Sequence, residues 1–331
     1  MPLKSLLRAF GSKSVPTPAG PRTRIAVIGA GRMGGYHAAH LAKIPQADLV
    51  AICDTDTALS ASLARKLRTR SMPEAAELLG HVDAVVIATP TASHFALGRL
   101  FLDAGVSCLI EKPLTSSIED AEALIQLAEA KKAVLQVGHV ERFNPAVMEA
   151  AGFIERPRFI EVNRLGPYDP RVAGIGVVMD LMIHDLDIVL FLVGEPVVRL
   201  EAFGARVLSA HEDIAKVRLH FANGCIADLS ASRISLQKYR RIRIFQSDSY
   251  LSLDYAAPQL KVYRKKSAIV KSLSDIQIVT PKLAKGDPLA MELSHFLACI
   301  REKKTPLVSG RHGRDALALA RDVLQQLKVQ A

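Results

Sequence analysis

From Arg24 onward, short apolar runs alternate with longer segments in which apolar residues recur at helical spacing. The runs "RIAVIG", "ADLVAICD", "VDAVVIATP", "VSCLIEKP" and "AVLQVG" each have the length of a buried strand. Buried strands that alternate with helices are typical of a parallel sheet covered by helices on both faces. The pattern therefore predicts an α/β domain with a doubly wound parallel sheet over residues 23–142.

After "ERFNPA" the pattern changes to apolar and polar residues alternating at a period of two. The segments "RFIEVNRLG", "PVVRLEAFGARVL", "DIAKVRLHFA", "GCIADLSAS", "RRIRIFQ" and "SYLSLDY" show it. This alternation indicates antiparallel strands with one buried face, and Asn223-Gly224 is a hairpin signal between two of them. Helices are predicted near 288–303 and 311–328. We assign residues 143–331 to a second, α+β domain with a mostly antiparallel, open-faced sheet.

The apolar segment "VVMDLMIHDLDIVLFLVG", residues 177–194, contains acids and a histidine. It is not expected to span a membrane, because each Asp near the centre of such a helix costs about 2.5–3.5 kcal/mol. Asp180, His184 and Asp187 lie at i, i+4 and i+7, so they form one polar stripe on a buried helix. The stripe faces either a ligand or a hydrogen-bonded network in the core.

Composition and charge narrow the class of protein. The 331 residues carry a formal net charge of +10, but basic and acidic residues are interleaved along the chain and tryptophan is absent, so no nucleic-acid partner is expected. Residues 1–22 are predicted to be a disordered basic tail without the apolar core of a secretory signal, with weak contact to an anionic surface as the alternative. Four scattered cysteines indicate reduced core residues and a cytoplasmic protein.

The first apolar run leads directly into a glycine-rich turn. Gly29, Gly31 and Gly34 have the spacing GxGxxG, and Asp54 follows the second run 20 residues after Gly34. Glycines at this spacing allow backbone to approach a pyrophosphate at a helix N-terminus, and the acid can bind ribose hydroxyls. Thr55 rather than an arginine follows Asp54, which favours NAD over NADP. The cofactor-binding candidates here are Gly29, Gly31, Arg32, Met33, Gly34 and Asp54.

Two further motifs follow predicted strands at the edge where open α/β sheets bind ligands. They are "TPTASH", residues 89–94, and "EKPL", residues 111–114. Lys112 is a candidate proton carrier because it stands at this edge, immediately before a proline that restrains its backbone. The cofactor-binding candidates from these motifs are Thr89, Pro90, His94, Glu111 and Lys112.

Together, "VIGAGRMGGYHAAHL", "ATPTASH", "EKPL", "GHVERFNPA" and "DLMIHDLDI" resemble the Gfo/Idh/MocA oxidoreductases, which are NAD(P)-dependent sugar and cyclitol dehydrogenases. The resemblance runs from about Arg24 to the C-terminus. It implies catalytic roles for Lys112, Asp180 and His184, with a site between two domains and homodimers or homotetramers built through the open sheet. A metal site is not expected, because one histidine with carboxylates is a thin ligand set.

Within the family, "GHVERFNPAV" and "MDLMIHDLDIVLFL" look most like members acting on UDP-N-acetylglucosamine, which oxidise its C3 hydroxyl before an aminotransferase acts, in the synthesis of 2,3-diamino sugars for lipid A. The loop "NRLGPYDPR" carries arginines that suit a diphosphate. A solvated loop is the alternative. The substrate-binding candidates are Arg142, Asn144, Arg164, Tyr168, Arg171, Asp180 and His184.

Two other functions remain open at this point. A dehydrogenase of a free sugar or inositol would need no arginine loop, since its substrate carries no anion. A non-catalytic NAD-binding sensor or scaffold would have no reason to keep Lys112, Asp180 and His184 together, because polar groups in an apolar helix are costly.

Overall fold

The computed structural model describes residues 20–172 and 174–330, without the side chains of Arg171 and of residues 328–330. The predicted tail at residues 1–22 therefore lies almost wholly outside the described residues. The described chain forms two compact units, each with its own sheet. No helix in the described part is long and apolar enough to cross a membrane.

The first unit contains a six-stranded parallel sheet in the order β3-β2-β1-β4-β5-β6. Its strands are β1 (Thr23–Ile28), β2 (Ala47–Cys53), β3 (Arg70–Met72), β4 (Ala84–Ile87), β5 (Ser107–Glu111) and β6 (Leu135–Gly138). Its helices up to this point are α1 (Arg32–Leu41), α2 (Thr57–Leu67), α3 (His94–Asp103) and α4 (Ile118–Lys131), with 3₁₀ turns at Ala75–Leu78 and Thr91–Ser93. The five apolar runs became β1, β2, β4, β5 and β6, and β4 and β5 are buried along their whole length. The predicted doubly wound fold is confirmed.

The second unit contains a nine-stranded sheet in the order β14-β13-β12-β11-β7-β10-β9-β8-β15. Its strands are β7 (Phe159–Leu165), β8 (Val197–Ala205), β9 (Ile214–Phe221), β10 (Ile226–Ser232), β11 (Tyr239–Phe245), β12 (Ser249–Asp254), β13 (Gln259–Lys265), β14 (Ile276–Val279) and β15 (Lys328–Gln330). Helices α5 (Pro145–Ala151) and α6 (Ile183–Val193), a π-helical turn (Val178–Met182) and 3₁₀ turns at Val140–Phe143, Pro170–Val172 and Leu273–Asp275 complete it.

This sheet is mostly antiparallel, as predicted; β7 with β10 and β8 with β15 are its parallel pairs. Buried and half-buried residues alternate along β7 and β10, so one face forms the core. The hairpin between β9 and β10 turns at Asn223-Gly224, where Gly224 has φ +82° and the Asn223 side chain accepts a hydrogen bond from the Cys225 amide at 3.0 Å.

The two C-terminal helices are α7 (Pro288–Glu302) and α8 (Gly310–Gln326). The units to which they belong differ from the prediction. Residues 286–317 belong with the parallel-sheet unit, and from Ala318 the chain belongs with the second unit. The assignment of all residues 143–331 to one domain is therefore corrected. The reason is the apolar face of α7, which packs into the core of β1, β2 and α1 through Leu289, Leu293, Phe296 and Leu297.

All four cysteines, Cys53, Cys108, Cys225 and Cys299, are buried free thiols. Burial raises the pKa of Cys53, Cys225 and Cys299 to about 11, so these thiols stay protonated and unreactive near neutral pH. The interpretation of the cysteines as reduced core residues is confirmed.

Candidate active site

The glycine-rich turn between β1 and α1 contains two kinds of glycine. Gly29 and Gly34 are needed for close packing, and Gly31 leaves room for a ligand. A Cβ at Gly34 would lie 1.7 Å from the carbonyl oxygen of Gly29, and a Cβ at Gly29, where φ is +96°, would lie 2.6 Å from the Ala88 carbonyl oxygen. No atom lies within 4 Å of a Cβ built at Gly31. Gly31 is the N-cap of α1 and offers no side-chain cap, so the first amides of α1 are available to an anion.

Asp54 stands beside this turn, as predicted. One of its carboxylate oxygens accepts a hydrogen bond from the Ala30 amide at 2.6 Å, and the other accepts one from the Asp56 amide at 2.9 Å. Within the described chain, no arginine or lysine forms an ion pair with Asp54. A partly exposed carboxylate fixed at this place fits the two hydroxyls of an adenosine ribose and disfavours a 2′-phosphate.

These groups fit NAD. The α1 N-terminus and Gly31 would hold the pyrophosphate, Asp54 would hold the adenosine ribose, and the exposed Arg32 and Met33 begin the helix at the same place.

In the motif at residues 89–94, His94 contacts the protein itself rather than the predicted cofactor. His94 is buried, and its ring nitrogens contact two carbonyl oxygens, Nδ1 that of Pro113 at 3.0 Å and Nε2 that of Thr89 at 2.9 Å. His94 therefore ties the loop after β4 to the loop after β5, and its assignment as a cofactor contact is corrected to a positioning role. Thr89 and Pro90 remain partly or fully exposed at this edge.

Glu111 is also turned inward. It is buried at the end of β5, where its carboxylate contacts Nε2 of His37 at 2.7 Å and accepts a hydrogen bond from the Lys112 amide at 3.2 Å. Burial raises the pKa of Glu111, but His37 and Lys112 outweigh that effect and hold the pKa below its usual range. The direct cofactor contact predicted for Glu111 is replaced by contacts within the protein. Lys112 is half-buried and joined to Pro113 by a cis peptide bond.

The polar residues of segment 177–194 do not form one stripe. Asp180 lies in the π-helical turn and His184 in the first turn of α6, and both are partly exposed. Asp185 and Asp187 are each only 1% exposed. The segment therefore divides between the two predicted alternatives. Asp180 and His184 lie at a surface, and Asp185 and Asp187 lie in the core.

Buried arginines neutralise the two core acids. Arg142 binds Asp187 through Nε and Nη2, both at 2.7 Å, and its guanidinium lies 4.6 Å from the Phe191 ring centre. Arg164 binds Asp185 through Nε at 2.8 Å and Nη2 at 2.9 Å. Both arginines are almost wholly buried. The prediction that they bind substrate is wrong, because their guanidinium groups are already committed to carboxylates.

The same buried network includes Glu141, Asn144 and Tyr255. Glu141 accepts a hydrogen bond from Arg164 Nη1 at 3.2 Å, and the Tyr255 hydroxyl donates to Asp185 at 2.7 Å. Asn144 caps α5 by accepting from the Ala146 amide at 3.1 Å, and it donates to the Tyr255 carbonyl oxygen at 3.0 Å. Asn144 is therefore a structural cap rather than the predicted substrate contact.

The arginine loop, residues 163–171, is held by a residue that sequence reasoning missed. Arg233 is buried and donates to the carbonyl oxygens of Val172 at 2.9 Å and Ile175 at 2.6 Å, and its guanidinium lies 5.6 Å from the Tyr168 ring centre. It also binds Asp213 at 2.8 Å. Tyr168 is partly buried, and the side chain of Arg171 lies outside the described residues. The only sequence signal for Arg233 was a basic residue at the end of an apolar strand.

Glu212 was also missed. Its carboxylate accepts a hydrogen bond from the Val178 amide at 3.1 Å, at the start of the π-helical turn that contains Asp180. A Cβ at Gly176 would lie 1.9 Å from this carboxylate, so Gly176 has to be glycine for Glu212 to reach the turn. Glu212 therefore helps to place Asp180.

A parallel sheet with a GxGxxG turn, a carboxylate at the end of β2 and a lysine at the end of β5 defines an NAD-dependent dehydrogenase of the Rossmann class. Family models agree. Residues 23–139 match the oxidoreductase family with an NAD-binding Rossmann fold, and residues 148–252 match the GFO/IDH/MocA C-terminal domain. The chain belongs to the Gfo/Idh/MocA family and is an NAD-dependent oxidoreductase acting on a CH–OH group.

Individual relatives extend over nearly the whole chain. It is 40% identical over 302 residues to the UDP-N-acetylglucosamine 3-dehydrogenase of Acidithiobacillus ferrooxidans, covering 91% of this chain and 96% of the relative. A structure of that enzyme superposes with a TM-score of 0.87 at 39% identity, covering 93% and 98% of the two chains. An inositol 2-dehydrogenase of Rhizobium meliloti is 31% identical over 90% of this chain and 94% of its own.

Proposed function

We propose that this enzyme oxidises the C3 hydroxyl of UDP-N-acetylglucosamine to the 3-keto sugar, with NAD as the hydride acceptor. The observation that carries the proposal is the 40% identity to a UDP-N-acetylglucosamine 3-dehydrogenase over 96% of that relative's length. Inositol dehydrogenases of the same family are 31% and 29% identical over a similar share of the chain. The nucleotide-sugar relative is thus markedly more similar at equal coverage.

In the proposed reaction, the sugar loses a hydride from C3 and a proton from the C3 hydroxyl. NAD, when bound, supplies the acceptor for the hydride. Lys112 or His184 takes the hydroxyl proton, since an amine and an imidazole can each act as a general base. Asp180, which precedes His184 by four residues across the π-helical turn, orients the imidazole or binds a substrate hydroxyl. Tyr168 is proposed as a substrate contact.

The diphosphate of the substrate needs cations, but Arg142 and Arg164 are not among them because both are buried in ion pairs. Among the arginines that the sequence predicts to bind substrate, Arg171 in the same loop remains. The net charge of +10 favours the approach of an anionic nucleotide sugar in any case.

The biological setting forms part of the proposal. The ketone is an aminotransferase substrate, and its amination leads to a 2,3-diamino sugar of the kind used for lipid A. Free thiols at all four cysteines suit the reducing cytoplasm, where NAD and UDP-sugars would be used. Homodimers or homotetramers would form through the open face of the second sheet.

A substrate panel tests this function. The purified enzyme is incubated with NAD and UDP-N-acetylglucosamine, UDP-glucose, N-acetylglucosamine or myo-inositol, and NADH absorbance and product mass are recorded. We expect NADH and a product two mass units lighter chiefly with UDP-N-acetylglucosamine, and a higher yield when an aminotransferase and glutamate remove the ketone. Equal oxidation of N-acetylglucosamine would contradict the need for the diphosphate. Oxidation of inositol alone would make the protein an inositol dehydrogenase, and no turnover of any substrate would favour a sensor.

Matched variants test the catalytic residues. Lys112→Met and His184→Asn should each lower kcat by a factor on the order of 10² or more while NAD binding is retained, as for loss of acid–base groups. Lys43→Met and His211→Asn replace exposed residues of the same types in the same two units and should leave kcat unchanged. A near-normal rate in Lys112→Met or His184→Asn would remove that residue from the mechanism.

A further inference from the structure

Three elements of the parallel-sheet unit converge on the carboxylate of Glu111. β5 carries it, α1 supplies His37, which is fully buried and contacts one carboxylate oxygen at 2.7 Å, and β6 ends beside it at Gly138. A Cβ at Gly138 would lie 3.0 Å from the carboxylate, so the absence of a side chain there makes room for Glu111. The second oxygen accepts the Lys112 amide at 3.2 Å. Glu111 therefore joins the cofactor helix α1 to the backbone of the candidate catalytic lysine.

A second carboxyl group, that of Glu292 in α7, is buried near this pair. Its side chain is fully buried, and neither of its oxygens has a hydrogen-bond partner within the described part of the chain. Burial, and then the charge of Glu111, raise the pKa of Glu292 well above its usual range. Glu292 is therefore the neutral member of the two carboxyls, and Glu111 is the charged one.

Two further buried polar residues lie in β6 and directly after it. Gln136 in β6 is buried and uncharged, and it donates to the Glu292 carbonyl oxygen at 3.3 Å. His139 lies one residue beyond the end of β6 and is also buried. Among the described residues, the ionisable groups that act on Glu111 are thus His37 from α1, Lys112 beside it and Glu292 from α7.

We propose that Glu111, held by His37, is a positioning residue that fixes the Lys112 turn against α1 and supplies the negative charge that makes the Lys112 amine a stronger base for the proton of the substrate hydroxyl. This inference rests on the proposed catalytic role of Lys112. A carboxylate on the adjoining residue stabilises an ammonium group, and it does so more strongly where protein replaces water. His37 secures the position of that carboxylate from the opposite side.

The central test measures Lys112 directly in the enzyme without substrate. Lysines are labelled by reductive ¹³C-methylation, the Lys112 signal is identified by its absence in Lys112→Arg, and its titration is followed by NMR. Glu111→Gln keeps the shape of the side chain and removes its charge, so the Lys112 midpoint should fall by about one pH unit or more. His37→Ala should lower the midpoint less. The controls Glu119→Gln and His81→Ala, at exposed positions of the same unit, should not move it.

Kinetics separate the positioning role from a purely structural one. Gly138→Ala places a methyl group 3.0 Å from the Glu111 carboxylate without removing its charge, so it should lower kcat several-fold and move the Lys112 midpoint less than Glu111→Gln does. Melting curves of each variant identify loss of folding. An unchanged Lys112 midpoint in Glu111→Gln overturns the proposal, as does unchanged kcat in both Glu111→Gln and Gly138→Ala.

Failure of this inference and failure of the proposed function have different signatures. If Lys112→Met keeps normal turnover, the catalytic role of Lys112 fails whatever the NMR titration shows. If Lys112→Met is inactive and the Lys112 midpoint is the same in wild type and Glu111→Gln, the proposed function stands and only the role of Glu111 is lost. If Glu111→Gln does not fold, Gly138→Ala and His37→Ala still decide, because a folded pair with unchanged midpoint and unchanged kcat overturns the proposal.

Discussion

Removal of Arg164 should damage the second unit itself rather than the affinity for substrate. The Arg164 guanidinium makes two hydrogen bonds to Asp185, at 2.8 and 2.9 Å, and one to Glu141 at 3.2 Å, and it lies 5.1 Å from the Tyr255 ring centre. Burial opposes the charge, but these acids outweigh it and raise the pKa of Arg164 well above its usual value. Arg164→Ala therefore leaves the buried Asp185 without its cation, whereas Glu141 keeps Arg240, whose Nη1 lies 3.1 Å from its carboxylate.

The expected loss is large. Breaking a buried ion pair by removing one partner costs about 3–5 kcal/mol, because the remaining charge stays buried and uncompensated. For a unit of this size, 1 kcal/mol corresponds to about 2–4 °C, so the melting temperature of the second unit should fall by about 6–20 °C. NAD affinity should persist, since the glycine-rich turn and Asp54 belong to the other unit.

Calorimetric melting and urea unfolding of wild type and Arg164→Ala measure this effect, with NAD titration as the check on the parallel-sheet unit. Arg218→Ala is the matched control, because Arg218 also pairs with an aspartate, Asp228, at 2.6 Å, but its side chain is 52% exposed. An exposed ion pair contributes about 0–1 kcal/mol to the free energy of unfolding, so Arg218→Ala should change stability little. Equal stability of wild type and Arg164→Ala, together with a raised KM for the UDP-sugar, would refute the buried network and restore a phosphate-binding role for Arg164.

Three further predictions concern the parallel-sheet unit. Gly34→Ala should unfold or distort the nucleotide turn, because its Cβ would meet the Gly29 carbonyl oxygen, whereas Gly31→Ala should keep the fold and weaken NAD binding in calorimetry. Asp54→Ser should weaken the preference for NAD over NADP, measured as a fall in the ratio of the Kd for NADP to the Kd for NAD. Glu292, whose folded pKa is raised, contributes stability that is complete below its unfolded pKa and is lost as pH rises toward the folded pKa. As pH rises above the unfolded pKa of Glu292, urea unfolding should show this loss of stability in wild type but not in Glu292→Gln.

The parts of the site that could be predicted from the sequence are those set by local geometry. The GxGxxG turn needs glycine because Gly29 and Gly34 approach backbone closely, and this requirement depends on residues within one strand–turn–helix unit. Asp54 follows β2 at the same sheet edge, so its position also follows from the order of the elements. The helix α7 was predicted as a helix but assigned to the wrong domain, because an amphipathic pattern identifies an apolar face without identifying its partner.

The polar stripe failed for a related reason. Helical spacing places Asp187 near the face of His184, and both lie in the regular helix α6, but Asp187 is buried and His184 is partly exposed. Spacing indicates which residues share a face without showing where along that face burial begins. The partners of the acids are also distant, since Arg164 precedes Asp185 by 21 residues and Arg142 precedes Asp187 by 45.

Those distant partners change how the site should be interpreted. The sequence shows no acid beside Arg142 or Arg164 and no arginine beside Asp187, so it predicts that the arginines bind substrate and that Asp187 belongs to the polar stripe. The pair of Arg142 with Asp187 and the pair of Arg164 with Asp185 remove these three residues from the candidates. The partly exposed Asp180 and His184 then remain as the candidate reactive groups of this segment, and Glu212 and Gly176 place the start of the π-helical turn that contains Asp180. A substrate phosphate must accordingly find its cations elsewhere, and Arg171→Ala rather than Arg164→Ala is the variant that should raise KM for UDP-N-acetylglucosamine while leaving kcat nearly unchanged. A normal KM in Arg171→Ala would leave the arginine loop without a role in phosphate binding.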